Sequence, residues 1–378
     1  MKKVANIVFN PFKNDSRVLK ESLSLKKVGY DVEVIAHGDE GLTKEEIKNG
    51  IKIKRFNYLN RKVTTSKLAK LKIYLSWIKE VADYVKKFDI LHCNDLNTLP
   101  IGFIVKKFYN KNIKIVYDAH EYETEINGLG GIQKILTKIL EKFLIRYADK
   151  VICVSESIAQ EYKKLYPFIE KPALVLNTPP YKKIEKKDKF REELGIGKEK
   201  TIFLYQGGLS SGRGIEILID TFRSIKDDKA VIVFMGYGPL EKEVKKASEE
   251  YDNIYFYPAV SPDVLLDYTS SADFGISTIE DSCLSYRYCL PNKTFEYLMA
   301  EIPLIVSNLY EMKRLIEKYK IGVVAKENNV EGLKEAIKKA LELDKEELKE
   351  NIKKVKEIYN WEEQEKVLLK IYKEISNV

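Results

Sequence analysis

Short apolar, β-branched runs recur along the chain, each followed by a stretch whose apolar positions repeat at helical spacing. The first half places such runs at 4–9, 31–36, 89–93, 113–118, 150–154 and 173–177. The second half places them at 201–206, 230–235, 253–257, 273–277, 303–307 and 322–325. They are continuous rather than alternating, which predicts strands covered on both faces, as in parallel sheets built from βαβ units. Two such series in tandem predict an α/β protein of two doubly wound, Rossmann-like domains facing across a cleft. A length of 378 residues also favours two cores over one.

The boundary is written in polar residues. After Asn177-Thr178-Pro179-Pro180 the chain is lysine-rich with little apolar periodicity, so a linker is expected near 178–186. This gives an N-terminal domain of residues 1–178 and a C-terminal domain of 187–360. Val367, Leu368, Ile371 and Ile375 then predict a closing helix within 361–378 that must pack on a partner surface. Another helix is predicted by the stripe Ile132, Ile135, Leu136, Ile139, Leu140, Phe143, Leu144 and Tyr147, with Lys134, Lys138 and Lys142 outside it. Such a stripe reads first as core packing; contact with a membrane surface is the lesser alternative.

Composition narrows the class. Hydrophobic residues make up 44% of the chain, too many for a disordered protein, and no apolar run approaches the ~20 residues that span a bilayer. The N-terminus lacks the features of a secretory signal, so a soluble, cytoplasmic protein is expected. Cys93, Cys153, Cys283 and Cys289 form no Cys-x-x-Cys pair, and His37, His92 and His120 lack metal-ligand spacing; no metal and no cofactor is expected. Residues 1–180 carry 32 basic against 21 acidic side chains, and 15 against 4 of these fall in 51–114. Solvated lysines account for this most simply. The sharper reading is a basic patch facing a phosphate-bearing acceptor or, peripherally, an anionic membrane at its inner face. No nucleic-acid motif accompanies it, and nucleic acid is not an expected partner.

Ligands in open parallel sheets bind beyond the carboxyl ends of the strands, so chemistry is sought there. Tyr205-Gln206-Gly207-Gly208 ends a strand, Leu209-Ser210-Ser211-Gly212-Arg213-Gly214 forms a glycine-rich turn, and a helix begins at Ile215. Backbone amides and a helix N-terminus in that order suit a phosphate, to which Arg213 adds a cation. The Lys-Ser/Thr of a Walker A loop is absent. A second turn, Gly236-Tyr237-Gly238, follows the next strand. Farther on, Pro291 breaks the chain before Asn292, a candidate helix cap, with Lys293 and Glu296 in the first turns. Lys293 suits an anion, and Glu296 suits ribose hydroxyls.

These elements, in this order and followed by Ile302-Pro303-Leu304-Ile305-Val306-Ser307, resemble the retaining glycosyltransferases of the GT-B fold, family four. Asn14-Asp15-Ser16-Arg17, Asp118-Ala119-His120-Glu121, Ala148-Asp149-Lys150-Val151 and Trp361-Glu362 are similar to landmarks of the same family, so the resemblance spans nearly the whole chain. It departs from the family at Gly208, where an Arg is usual, at Arg213, where a Lys is usual, and at Tyr288, where a Glu eight residues before Glu296 is common.

The resemblance implies metal-independent transfer of a sugar, with retention, from a nucleotide-diphosphate sugar to a glycan or lipid-linked acceptor. It implies Arg213, Lys293 and His120 as catalytic, and Gly207, Gly208, Gly236, Gly238, Asn292 and Glu296 as nucleotide-sugar contacts. Asp15, Arg17 and Glu121 become acceptor-side groups, although Asp15 also suits a helix cap. A nucleotide-sugar epimerase and a non-catalytic nucleotide-binding protein remain open on the same architecture.

Overall fold

The computed structural model describes residues 1–56, 66–226 and 229–376. Residues 57–65, part of the basic stretch noted above, lie outside the described residues. The chain divides into two compact units. The first comprises residues 1–175 and 365–378, and the second residues 176–364.

In the first unit eight strands form one sheet. They are β1 (Lys3–Ile7), β2 (Asp31–His37), β3 (Glu45–Lys48), β4 (Ile51–Phe56), β5 (Ile90–Asn94), β6 (Lys114–Ala119), β7 (Lys150–Cys153) and β8 (Ala173–Leu174), in the order β3-β4-β2-β1-β5-β6-β7-β8. Every pairing is parallel except that of β3 with β4. This hairpin was not anticipated, because Glu45-Glu46-Ile47-Lys48 offers no apolar run. Its local signal is Asn49-Gly50, both at positive φ (52° and 76°), the pair that a tight hairpin turn requires.

The second unit holds β9 (Thr201–Gly208), β10 (Ala230–Tyr237), β11 (Ile254–Pro258), β12 (Phe274–Ser277), β13 (Leu304–Val306) and β14 (Gly322–Val324), ordered β11-β10-β9-β12-β13-β14 and parallel throughout. This is the doubly wound order, with its switch point between β9 and β12. In the first unit the switch lies between β1 and β5. Helices cover both faces of the second sheet. Phe203, Ile232, Phe234 and Ile305 pack on one side, and Leu204, Val231, Val233 and Leu304 on the other. Alternate residues of each strand therefore feed two cores, which is why the runs read as continuous.

One helix corrects the sequence reading. Gly131–Leu144 does form, but of its apolar stripe only Leu144 is buried in the core. Ile132, Ile135, Leu136, Ile139, Leu140 and Phe143 are all exposed, whereas Glu141 is fully buried. The sheet-facing side is fixed instead by hydrogen bonds: Tyr117, Tyr162 and Tyr166 donate their hydroxyls to the Glu141 carboxylate at 2.6–2.7 Å. Polar satisfaction oriented the helix where hydrophobicity was expected to.

Candidate active site

In the second unit the candidate residues gather at the switch point. β9 ends in Gly207 and Gly208, and the helix Ile215–Ser224 starts after Gly214. Gly207 has φ +118°, a conformation that side chains rarely adopt. At Gly236 a Cβ would stand 1.9 Å from the Gly207 carbonyl oxygen, so β9 and β10 approach too closely there for any other residue. The two loops are stitched together, as Leu209 N–H donates to Tyr237 and Leu240 N–H to Leu209. Gly238 lies within this stitched turn.

Pro291 caps the helix Asn292–Met299, with Asn292 as its first residue. The expectation that Asn292 caps is thus corrected: Pro291 holds the extended backbone that precedes the helix. Lys293 turns inward. Its Nζ is buried, makes no hydrogen bond, and stands 3.5 Å from the centre of the Tyr205 ring, beside Gly207. Burial pulls the amine down to about 7, and the positive field of Arg213 acts in the same direction. The Arg213 guanidinium lies 5.1 Å from the centre of the Tyr286 ring. Glu296 accepts from Gln206 Nε2 at 2.5 Å, while Gln206 Oε1 accepts from Thr269. Gln206, Tyr205 and Tyr286 were not singled out in the sequence; the adjacency of the first two to Gly207 was the available signal.

The first unit carries a separate cluster at the ends of β5 and β6. Arg17 grips Asp118 through both Nε and Nη2 at 2.8–3.0 Å, donates to the Val175 carbonyl, and lies 3.1 Å from Glu21. The acceptor-side expectation for Arg17 is corrected, since the side chain is buried and its guanidinium is committed to holding the strand ends together. Asp15 caps the helix Ser16–Lys27 by accepting from Val18 N–H. Glu121 is exposed.

His120 is partly exposed. Its Nε2 lies 3.1 Å from Asn94 Oδ1 and 3.3 Å from Asp118, and its Nδ1 lies 3.5 Å from Asp95. Burial opposes its charge, but Asp95 and Asp118 outweigh that and raise the imidazole to about 9. Burial also lifts the Asp118 carboxyl, yet Arg17 and the two imidazoles hold it well below the ordinary range. Burial pushes the Glu123 carboxyl well above the ordinary carboxylate range, and Asp95 acts in the same direction. Asp95 itself has φ +60°. Asp95, Glu123 and Glu21 were missed because nothing local in the sequence distinguishes them.

Among the described residues, Glu21, His92 and Asp118 have the donor set for a metal, with ligand atoms within 4.8 Å of one another. Arg17 already supplies a cation to both carboxylates, so the group does not fit a second one.

Two family models match. Residues 186–357 match the model described as glycosyl transferases group 1, and residues 17–178 match glycosyltransferase family 4. An uncharacterised glycosyltransferase of Methanocaldococcus jannaschii is 24% identical over 289 residues, 68% of this chain and 70% of that one. An O-antigen biosynthesis glycosyltransferase of Escherichia coli, WclY, is 22% identical over 220 residues, 54% and 61% respectively. Among solved structures, sucrose-phosphate synthase of Thermosynechococcus elongatus matches with a TM-score of 0.80 at 16% identity, over 100% of both chains. HepE of Anabaena, in complex with UDP, matches with a TM-score of 0.74 at 15% identity, also over 100% of both. These neighbours establish the GT-B fold.

Proposed function

The chain belongs to the group 1 glycosyl transferases, and from that premise we propose that it transfers a sugar from a nucleotide-diphosphate sugar to a glycan or lipid-linked acceptor. Retention at the anomeric carbon and independence of metal ions are part of the proposal, as is a cytoplasmic location. Donor binding is assigned to the C-terminal unit and acceptor binding to the N-terminal one. The fold neighbour with bound UDP and the O-antigen relative support the donor and acceptor classes.

The observation that carries the reading is the Lys293 amine. A buried amine without a hydrogen-bond partner is unfavourable unless an anion arrives to pair with it. Beside it lie the open backbone of Gly207 and Gly208 and the Arg213 guanidinium, the groups that suit a diphosphate. Glu296, which accepts from Gln206, is assigned to the ribose hydroxyls. In the transfer the bond from the anomeric carbon to the diphosphate oxygen breaks and a bond to the acceptor oxygen forms. The acceptor's proton passes to the departing diphosphate. Arg213 and Lys293 stabilise the negative charge that develops on that leaving group, and such preorganised stabilisation is where a site of this kind gains most of its rate. His120, an imidazolium up to about pH 9, acts as a hydrogen-bond donor to the sugar and not as a base. Glu121 and Asp15 remain acceptor-side groups in the proposal, Asp15 through its place at a helix start.

The test is a thermal-shift panel of nucleoside diphosphates with and without EDTA, followed by transfer assays with the nucleotide that binds. Arg213→Ala is expected to lower turnover by ~100- to 1,000-fold with the fold intact. Near-normal turnover in that variant, or stabilisation abolished by EDTA, would refute the assignment.

A further inference from the structure

The helix Gly131–Leu144 is amphipathic in the wrong sense for a packed helix. Its apolar positions 132, 135, 136, 139, 140 and 143 form one continuous stripe, exposed by between 44% at Leu140 and 77% at Ile132. Its glutamate faces the core. The stripe is not isolated, because Phe103 of the neighbouring helix packs edge-on against Phe143 and Tyr147 and also against Phe108. Leu68, Leu71 and Leu75, on the helix Lys67–Val85 that packs against Leu99–Ile104, are exposed as well. An apolar surface of this extent marks a binding face.

Charge selects the occupant. Residues 66–76, 99–112 and 131–147 carry lysines and one arginine but a single carboxylate, Glu141, which is buried. Lys67, Lys70, Lys72, Lys107, Lys111 and Lys142 lie on these same segments as the apolar residues. A symmetric contact with a second copy would set this basic rim against itself, and lysine is depleted in protein interfaces. Apolar side chains ringed by cations are instead what an anionic bilayer takes up. No described helix is long and apolar enough to cross a membrane.

We propose that this face of the N-terminal unit docks on the surface of an anionic membrane, with the helix Gly131–Leu144 lying in the plane of the interface and its isoleucines, leucines and Phe143 inserted below the headgroups. The proposal does not rest on the transfer reading. It gives a lipid-linked acceptor a surface on which to be met.

Flotation of the full chain with vesicles of phosphatidylglycerol and phosphatidylcholine, without nucleotide, tests it against pure phosphatidylcholine vesicles. Binding to the anionic vesicles alone, weakened by salt, is expected. Ile135→Ser with Ile139→Ser should lower the bound fraction by at least about tenfold, and Lys107→Glu with Lys142→Glu should do the same at low salt. The melting temperature controls for folding. Failure of the unaltered chain to float with anionic vesicles overturns the proposal, as does equal flotation of the serine variant. A concentration-dependent dimer broken by the serine variant, without vesicle binding, would give the face to a second copy and also overturns it.

Discussion

Lys293 concentrates the chemistry of the proposed donor site into one atom. Its amine has given up water for the face of Tyr205, and burial with Arg213 nearby lowers its proton affinity from about 10.5 to about 7. Between those values the unfolded chain holds the proton and the native chain does not, so this group makes stability rise with pH from about 7 to 10.5. Lys293→Met removes that penalty, and the variant should melt above the parent protein below pH 7 while losing affinity for nucleoside diphosphates. On the proposed assignment, an arriving diphosphate restores the proton. Calorimetry near pH 8 in buffers of different ionisation heat should therefore show uptake approaching about one proton in the parent and none in the variant. Equal uptake in both would remove Lys293 from the site. His120 has the opposite sign: its stabilising charge is complete below pH 6.5 and fades as pH rises through about 9.

At the scale of elements, the helix Gly131–Leu144 shows how a buried polar network can override an apolar stripe. Removing the acceptor of three tyrosine hydroxyls leaves each orphaned at roughly 1–3 kcal/mol, so Glu141→Ala should destabilise by at least about 3 kcal/mol in denaturant unfolding. Ile135→Ser on the opposite side should stay within about 0.5 kcal/mol, as surface changes do. A packed helix of ordinary polarity would give the reverse order, and that outcome would contradict an outward-facing stripe. The glycine-rich turn after β9 is a second element whose geometry is local. Gly207 and the closely packed Gly236 shape it from backbone alone, and its character was visible from residue types before any contact was known.

At the scale of the molecule, the N-terminal unit is discontinuous and takes its last element from the far end of the chain. Within Trp361–Ser376, the residues Leu368, Ile371, Tyr372 and Ile375 are buried, and Tyr372 lies 2.8 Å from His92. Each such apolar side chain contributes about 1.5–3 kcal/mol on burial, a sum comparable with the whole stability of a domain. Truncation after Gln364 should therefore leave the N-terminal unit unfolded, seen as rapid proteolysis of residues 1–175; a protease-resistant fragment would contradict this.

The buried strands of both sheets, the doubly wound class and the glycine loop were legible because they depend on apolar runs and backbone geometry within a few residues. The hairpin at β3 and β4 was not, since its strands carry charge and its local signs are confined to Asn49-Gly50 and the alternation of Ile51 and Ile53 with lysines. Lys293 could be proposed from its place in a first turn, but its loss of solvent is a property of Tyr205 and Gly207, which only the sheet brings to it. Arg17 was likewise read as an acceptor-side group, and its pairing with Asp118, 101 residues away, was not legible. The sequence determined which segments form strands and helices, because that choice is made over neighbouring residues. The tertiary structure alone decided which faces are buried and which charges meet, because those depend on partners that the chain brings together only when it folds.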